Sequence, residues 1–153
     1  MFVLEPHPFD HPQSVQLIDE LQAEYLVRYG TPDETPIDPG EFDPPAGQFL
    51  IGVLNGDPVA IGGWRQLRPG VAEIKRMYVV KQARGLGLAR RMLAALESAV
   101  ATRGFEQVIL MTGTEQPEAI ALYESSGYES AEAYGIYAGE PNARFYQKRL
   151  SRE

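Results

Sequence analysis

The stretch from Val71 to Met111 constrains the fold more than any other part of the chain. A candidate strand, Val71 to Val80, runs through a glycine-rich turn into a helical pattern, Gly85 to Arg103, and on to Gln107–Met111. Ala89, Met92, Leu93, Leu96 and Val100 recur at helical spacing, and Gly104 follows as a natural stop. The run QVILM at 107–111 is short and continuously apolar, as in a strand buried on both faces. Strand, crossover helix and strand form a β-α-β unit, which commits one pair of strands to parallel pairing.

The turn reads Lys81-Gln82-Ala83-Arg84-Gly85-Leu86-Gly87-Leu88-Ala89. Gly85 and Gly87 admit unusual φ and close approach of a ligand. Backbone N–H groups at a helix N-terminus favour an anion such as a pyrophosphate, and Arg84, Arg90 and Arg91 add charge nearby. The dinucleotide fingerprint fails because its third glycine is replaced by Arg90. The P-loop fails because no Lys-Ser or Lys-Thr follows the glycines. A tight turn without a ligand also explains two glycines, and the residues alone leave both readings open.

Around this unit the chain is ordered β, α, long loop, β-β-β, α, β, α, β-β. Phe2 to Glu5 is a short strand halted by Pro6 and Pro8, and Ser14 to Tyr29 is an amphipathic helix ended by Gly30. Residues 31–46 hold five of the twelve prolines and five acids, an irregular loop of a length that is functional or mobile. Gln48 to Leu54 and Pro58 to Gln66 flank Asn55-Gly56-Asp57, a strong hairpin signal. Gln116 to Ser126 is a short helix, and strands near Tyr128–Tyr134 and Ala143–Arg149 finish the chain. A block of strands before single crossovers predicts an α/β chain of α+β type, with a mixed, mostly antiparallel sheet. At 153 residues one domain, 1–153, is expected.

Composition narrows the function. There is no cysteine, which excludes disulfides and thiolate chemistry and fits a cytoplasmic chain. No run approaches the roughly 18 apolar residues of a membrane span, and the acidic, proline-broken start predicts no leader peptide. A net charge of −7 argues against nucleic acid and polybasic membrane anchoring. That charge is divided unevenly. Residues 1–64 carry eleven acids and one base, Arg28, whereas 65–153 carry ten acids and thirteen bases. Such a split fits two different ligands, one cationic and one anionic, or surface drift.

The glycine turn resembles the signature of the GNAT superfamily of N-acetyltransferases, [QR]-x-x-G-x-[GA]. Arg84-Gly85-Leu86-Gly87-Leu88-Ala89 satisfies it, and so does the frame beginning at Gln82. The later frame places Met92-Leu93 where the family carries Leu-Leu. Glu73 to Val79 is similar to the family's central strand, and Ala119-Ile120-Ala121-Leu122-Tyr123 with Gly127-Tyr128 to its A-x-x-L-Y-x-x-x-G-[FY] segment. The resemblance runs from Phe2 to Leu150 and is weakest over residues 30–46.

It implies acetyl-CoA as co-substrate, an amine acceptor and no metal. Acetyl transfer needs a neutral amine, donors for the oxyanion and an acid for the thiolate. By resemblance, Glu73 is the base that deprotonates the amine, often through water. A salt-bridged strand residue is the alternative reading. Tyr123 is the acid, and a core aromatic is its alternative. The backbone N–H of Met77, Tyr78 or Val79 polarises the thioester carbonyl beside a strand bulge. The N–H groups of Arg84, Gly85, Leu86, Gly87, Leu88, Ala89 and Arg90 hold the pyrophosphate. Gln116 stands where the family often has a cofactor-binding Asn. The acidic segment Asp33, Glu34, Asp38, Glu41 and Asp43 borders the acceptor site and would attract a cationic amine or amino-acid derivative. His7 and His11 are assigned to the surface, and Trp64 to core or pocket wall. A CoA-binding sensor without turnover, a protein N-terminal or lysine acetyltransferase, and a user of larger acyl groups are the competing readings. A homodimer is left open.

Overall fold

The computed structural model describes residues 1–150; positions 151–153 of the expected domain lie outside the described residues. Its strands are β1 (Phe2–Pro6), β2 (Gly47–Leu54), β3 (Asp57–Arg68), β4 (Val71–Val79), β5 (Gln107–Gly113), β6 (Glu129–Ser130) and β7 (Ala143–Arg149). Its helices are α1 (Pro12–Tyr29), α2 (Leu88–Thr102) and α3 (Pro117–Ser125). The strands form one sheet in the order β1-β2-β3-β4-β5-β7-β6. Among the described residues only β4 and β5 pair in parallel, so the sheet is mixed and mostly antiparallel, as the element order predicts.

Local chemistry accounts for the element ends. Asn55 and Gly56 both take positive φ, 51° and 90°, the geometry a two-residue hairpin turn requires. Pro12 opens α1, the His11 Nδ1 accepts the Gln13 N–H at 3.1 Å, and Gly30 closes the helix in the left-handed region. His11 is therefore a helix cap, a role its proline-rich surroundings concealed.

The sheet is covered on both faces. Leu96 and Val100 of α2 are fully buried against Ala60 and Trp64 of β3 and Val108 of β5, and Tyr123 of α3 joins the same cluster. On the other face, Leu17 and Ile18 of α1 pack with Phe49, Ile51, Ile61 and Phe42. Trp64 is a core residue, edge-on to Phe105 with ring centroids 5.3 Å apart.

Two element boundaries differ from the sequence reading. The second helix begins at Leu88 rather than Gly85, after a 3₁₀ turn at Lys81–Ala83. The reason is backbone conformation: Gly85 and Gly87 sit at φ 83° and 78°, which a right-handed helix excludes. The strand expected over Tyr128–Tyr134 shrinks to Glu129–Ser130. After the Ala131 N–H bonds the Phe145 carbonyl at 2.9 Å, the chain leaves the sheet and carries Tyr134 and Tyr137 towards the ends of β4 and β5.

Leu96 is wholly buried between α2 and the sheet. Leu96→Ala should cost about 3 kcal/mol, lowering Tm by roughly 6–12 °C in a chain of this size. Leu86→Ala, at an exposed position, should leave Tm unchanged in the same calorimetric scan.

Candidate active site

β4 and β5 pair only through Val71–Gln107, Ala72–Val108 and Glu73–Ile109, and then part. On its other edge β4 carries a bulge. Its register against β3 jumps from Lys75–Gly63 to Tyr78–Ile61, so Arg76 and Met77 share one opposing residue, Gly62. Arg76 takes φ 60°, an uncommon conformation for a side chain of its size. A bulge bends and twists its strand, and here it turns the end of β4 away from β5.

The gap is a cavity of about 340 Å³. Ile74 to Met77 form one wall, and Met111, Thr112 and Gly113 of β5 form the other. Ala119 and Tyr123 of α3, with Gln116 just before it, line it as well. Tyr25 and Tyr29 of α1, Asp33, Glu34 and Tyr137 complete the enclosure. A Cβ at Gly113 would collide with the Tyr29 ring, so any larger residue there would push that side chain aside.

Tyr123 is buried, with its hydroxyl 4.0 Å from the Met77 sulfur. Desolvation pushes its pKa up to about 12, so it keeps its proton throughout the neutral range. Full transfer to a thiolate, whose ordinary pKa is about 8.5, is uphill. The phenol is therefore best suited to donating a hydrogen bond to a sulfur as charge develops there. Met77 is the one expected oxyanion donor that lines the cavity. Tyr78 instead turns its hydroxyl to Glu20 at 3.3 Å, and Val79 pairs with Ala60 while its carbonyl accepts from Arg84 Nε at 2.9 Å. The Gln116 side-chain oxygen accepts the Tyr29 hydroxyl at 3.1 Å.

The glycine turn lies at the start of α2. Gly87 is the N-cap, no side chain caps the helix, and its first turn holds no acid. Leu88 is buried and anchors the first turn, Ala89 is half-buried, and Leu86 is exposed. Arg84 is occupied by Glu24 at 2.8 Å, and Arg90 reaches Ser125 and Ser126 at 2.9 and 3.1 Å. What both arginines offer an anion is therefore chiefly backbone. Uncapped N–H groups beside two left-handed glycines suit a pyrophosphate.

Glu73 lies elsewhere. Its carboxylate accepts Arg65 Nε at 3.1 Å and the Tyr134 hydroxyl at 2.8 Å. It borders a small cavity of about 30 Å³ that adjoins the large one and shares Lys75, Met111 and Tyr137 with it. The acidic segment is also largely engaged. Asp33 accepts Lys75 Nζ at 2.9 Å, the Arg76 guanidinium, and the Thr35 hydroxyl and N–H. Burial alone would push its carboxyl up, but the Lys75 and Arg76 charges outweigh that and hold it well below the usual carboxylate range. Glu41 pairs with Arg65 at 2.9 Å and Asp38 caps Gly40, while Glu34 and Asp43 remain exposed.

Sequence reasoning missed Arg65, Tyr134 and Tyr137 and the pairing of Asp33. The available signal for the α1 wall was the i, i+4 spacing of Tyr25 and Tyr29. Among the described residues there is no cluster of three or more metal-ligating side chains, and no helix is long and apolar enough to cross a membrane.

The parted strands and the open helix start leave space and anion-binding N–H groups of the kind an acyl-CoA donor needs. Residues 14–128 match the family model described as Acetyltransferase (GNAT) family, and the chain belongs to that family, whose members use acetyl-CoA. It is 31% identical over 137 residues to an IAA acetyltransferase of Azospirillum brasilense, covering 89% of this chain and 90% of that protein. A Klebsiella pneumoniae structure provisionally described as an acyl-CoA N-acyltransferase superposes with a TM-score of 0.86 at 28% identity, covering 99% of both chains. A GNAT family acetyltransferase from Elizabethkingia anophelis with acetyl-CoA bound shares the fold, with a TM-score of 0.70 at 14% identity over 97% of this chain and 98% of that one.

The lowered pKa of Asp33 implies stability that is present above the unfolded value of 3.8 and is lost as pH falls through the lower folded value. Asp33→Asn should cost about 3 kcal/mol at pH 7 by leaving buried cations unpaired. It should also flatten the acid limb in denaturant titrations below about pH 4.

Proposed function

We propose that the chain is a single-domain N-acetyltransferase that moves the acetyl group of acetyl-CoA to the primary amine of a small molecule by direct attack in a ternary complex. The observation that carries this reading is the cavity between β4 and β5, with the bulged backbone at Met77 and the Tyr123 hydroxyl both at it. The Met77 N–H polarises the thioester carbonyl. The neutral amine attacks its carbon, the C–S bond breaks, the nitrogen loses a proton to water, and Tyr123 donates to the departing sulfur. The N–H groups from Arg84 through Gly85, Leu86, Gly87, Leu88 and Ala89 to Arg90 hold the pyrophosphate, and Gln116 completes the wall beside the pantetheine arm. Tyr78 and Val79 support the strand rather than the thioester.

The tyrosine wall and a volume of about 340 Å³ favour a small acceptor over a protein chain. Exposed Glu34 and Glu140 at the cavity are the carboxylates that would draw a cationic amine inward. The test is thiol release from acetyl-CoA across a panel of primary amines, with IAA included because the Azospirillum relative carries that name. Tight acetyl-CoA binding with no turnover on any acceptor would refute the reading and favour a sensor.

Two outcomes are expected with an active amine. Tyr123→Phe should lower kcat by about 10- to 100-fold and leave the acetyl-CoA KM unchanged. In the native enzyme kcat/KM for the acceptor should climb with pH towards the amine's own pKa of about 10. Tyr123 imposes no fall in that range, since it keeps its proton until about pH 12.

A further inference from the structure

Glu73, the base that the family resemblance implies, has both carboxylate oxygens engaged. One of its oxygens accepts Arg65 Nε at 3.1 Å and the other the Tyr134 hydroxyl at 2.8 Å. The side chain is 4% exposed, and the cavity it borders has room for about 30 Å³. A proton acceptor needs a free lone pair aimed at the attacking amine or at a water beside it; Glu73 does not line the large cavity, and each of its oxygens already accepts a hydrogen bond.

Its two partners lead outward to the two loops that enclose the acceptor end. Arg65 carries on to Glu41 Oε1 at 2.9 Å and to the Pro36 carbonyl at 3.2 Å, both in the loop between α1 and β2. Tyr134 belongs to the loop before β7 and stacks edge-on against Phe145. Burial, and then the Glu73 charge, raise its pKa, so it stays a neutral donor. Three residues further on, the Tyr137 hydroxyl accepts the Glu34 N–H at 2.6 Å, joining the two loops at the cavity.

We infer that Glu73 is a positioning residue: through Arg65 and Tyr134 it fastens both acceptor-side loops to β4, and the amine's proton goes to water instead. The inference rests on the acetyl-transfer reading for its kinetic consequences, but the clamp is a property of the protein alone. One buried carboxylate at the last residue of the β4–β5 ladder thus fixes the acceptor end while the cofactor end is left untouched.

The experiment compares Glu73→Gln with Tyr134→Phe, which removes one arm of the clamp and keeps the carboxylate. Both should raise the acceptor KM about three- to tenfold, with kcat, the acetyl-CoA KM and the shape of the pH profile unchanged. Both should also speed amide hydrogen exchange over residues 33–41 and 131–142 while α2 stays protected. A fall in kcat of about 100-fold or more in Glu73→Gln, with Tyr134→Phe behaving as wild type, would restore Glu73 as the base and overturn the proposal. Unchanged exchange in both loops would overturn it as well. Exchange needs no turnover, so an enzyme inactive on every amine refutes acetyl transfer while the loops still decide the clamp. If Glu73→Gln does not fold, Tyr134→Phe decides alone.

Discussion

β4 and β5 share a ladder from Val71–Gln107 to Glu73–Ile109, and everything at the site depends on its stopping there. Continued parallel pairing would fill the cavity with backbone hydrogen bonds and leave no room for a ligand. The bulge at Arg76 and Met77 prevents this by bending β4 away. A left-handed Arg76 carries backbone strain, and the ion pair with Asp33 fixes its side chain. An ion pair from a loop thus helps hold a strand in the shape that opens the site.

The uneven division of charge takes on a structural meaning. Asp33, Glu41 and Glu24 of the acidic half pair with Lys75, Arg76, Arg65 and Arg84 of the basic half. Three of the eleven acids in residues 1–64 are thus matched to four cations of the basic half, tying the long loop and α1 to the central strands and the glycine turn. Burying such charges carries a desolvation cost, and a well-packed apolar substitute can be equally stable. Their value here is specific placement, since each pair ties a proline-rich loop to one point on the sheet.

The glycine turn and the loop side of the cavity are built by different physics. The turn is backbone: two left-handed glycines and an uncapped helix start. The loop side uses side chains on two long loops, joined by Tyr137 and Glu34 and anchored through Glu73 and Asp33. Backbone sites tolerate sequence change because every residue carries an N–H. Loop side chains do not, which is consistent with a family that keeps its cofactor and varies its acceptor.

The local parts of this protein were legible in the sequence. The β-α-β unit, the Asn55-Gly56 hairpin, the glycine turn at Gly85 and Gly87 and the helix bearing Tyr123 are each specified within a short window. Hydrophobic period, allowed φ and helix capping act over only a few residues, so such windows suffice. The family resemblance also implied a bulge in β4. Only the folded chain decided that Arg76 would carry it, that Met77 rather than Tyr78 or Val79 would line the cavity, and that Glu73 would be enclosed by Arg65 and Tyr134. Asp33 and Arg76 are separated by 43 residues and Tyr134 and Glu73 by 61. The pairing of distant charges depends on which strands the topology makes neighbours, and no local pattern of residues encodes that.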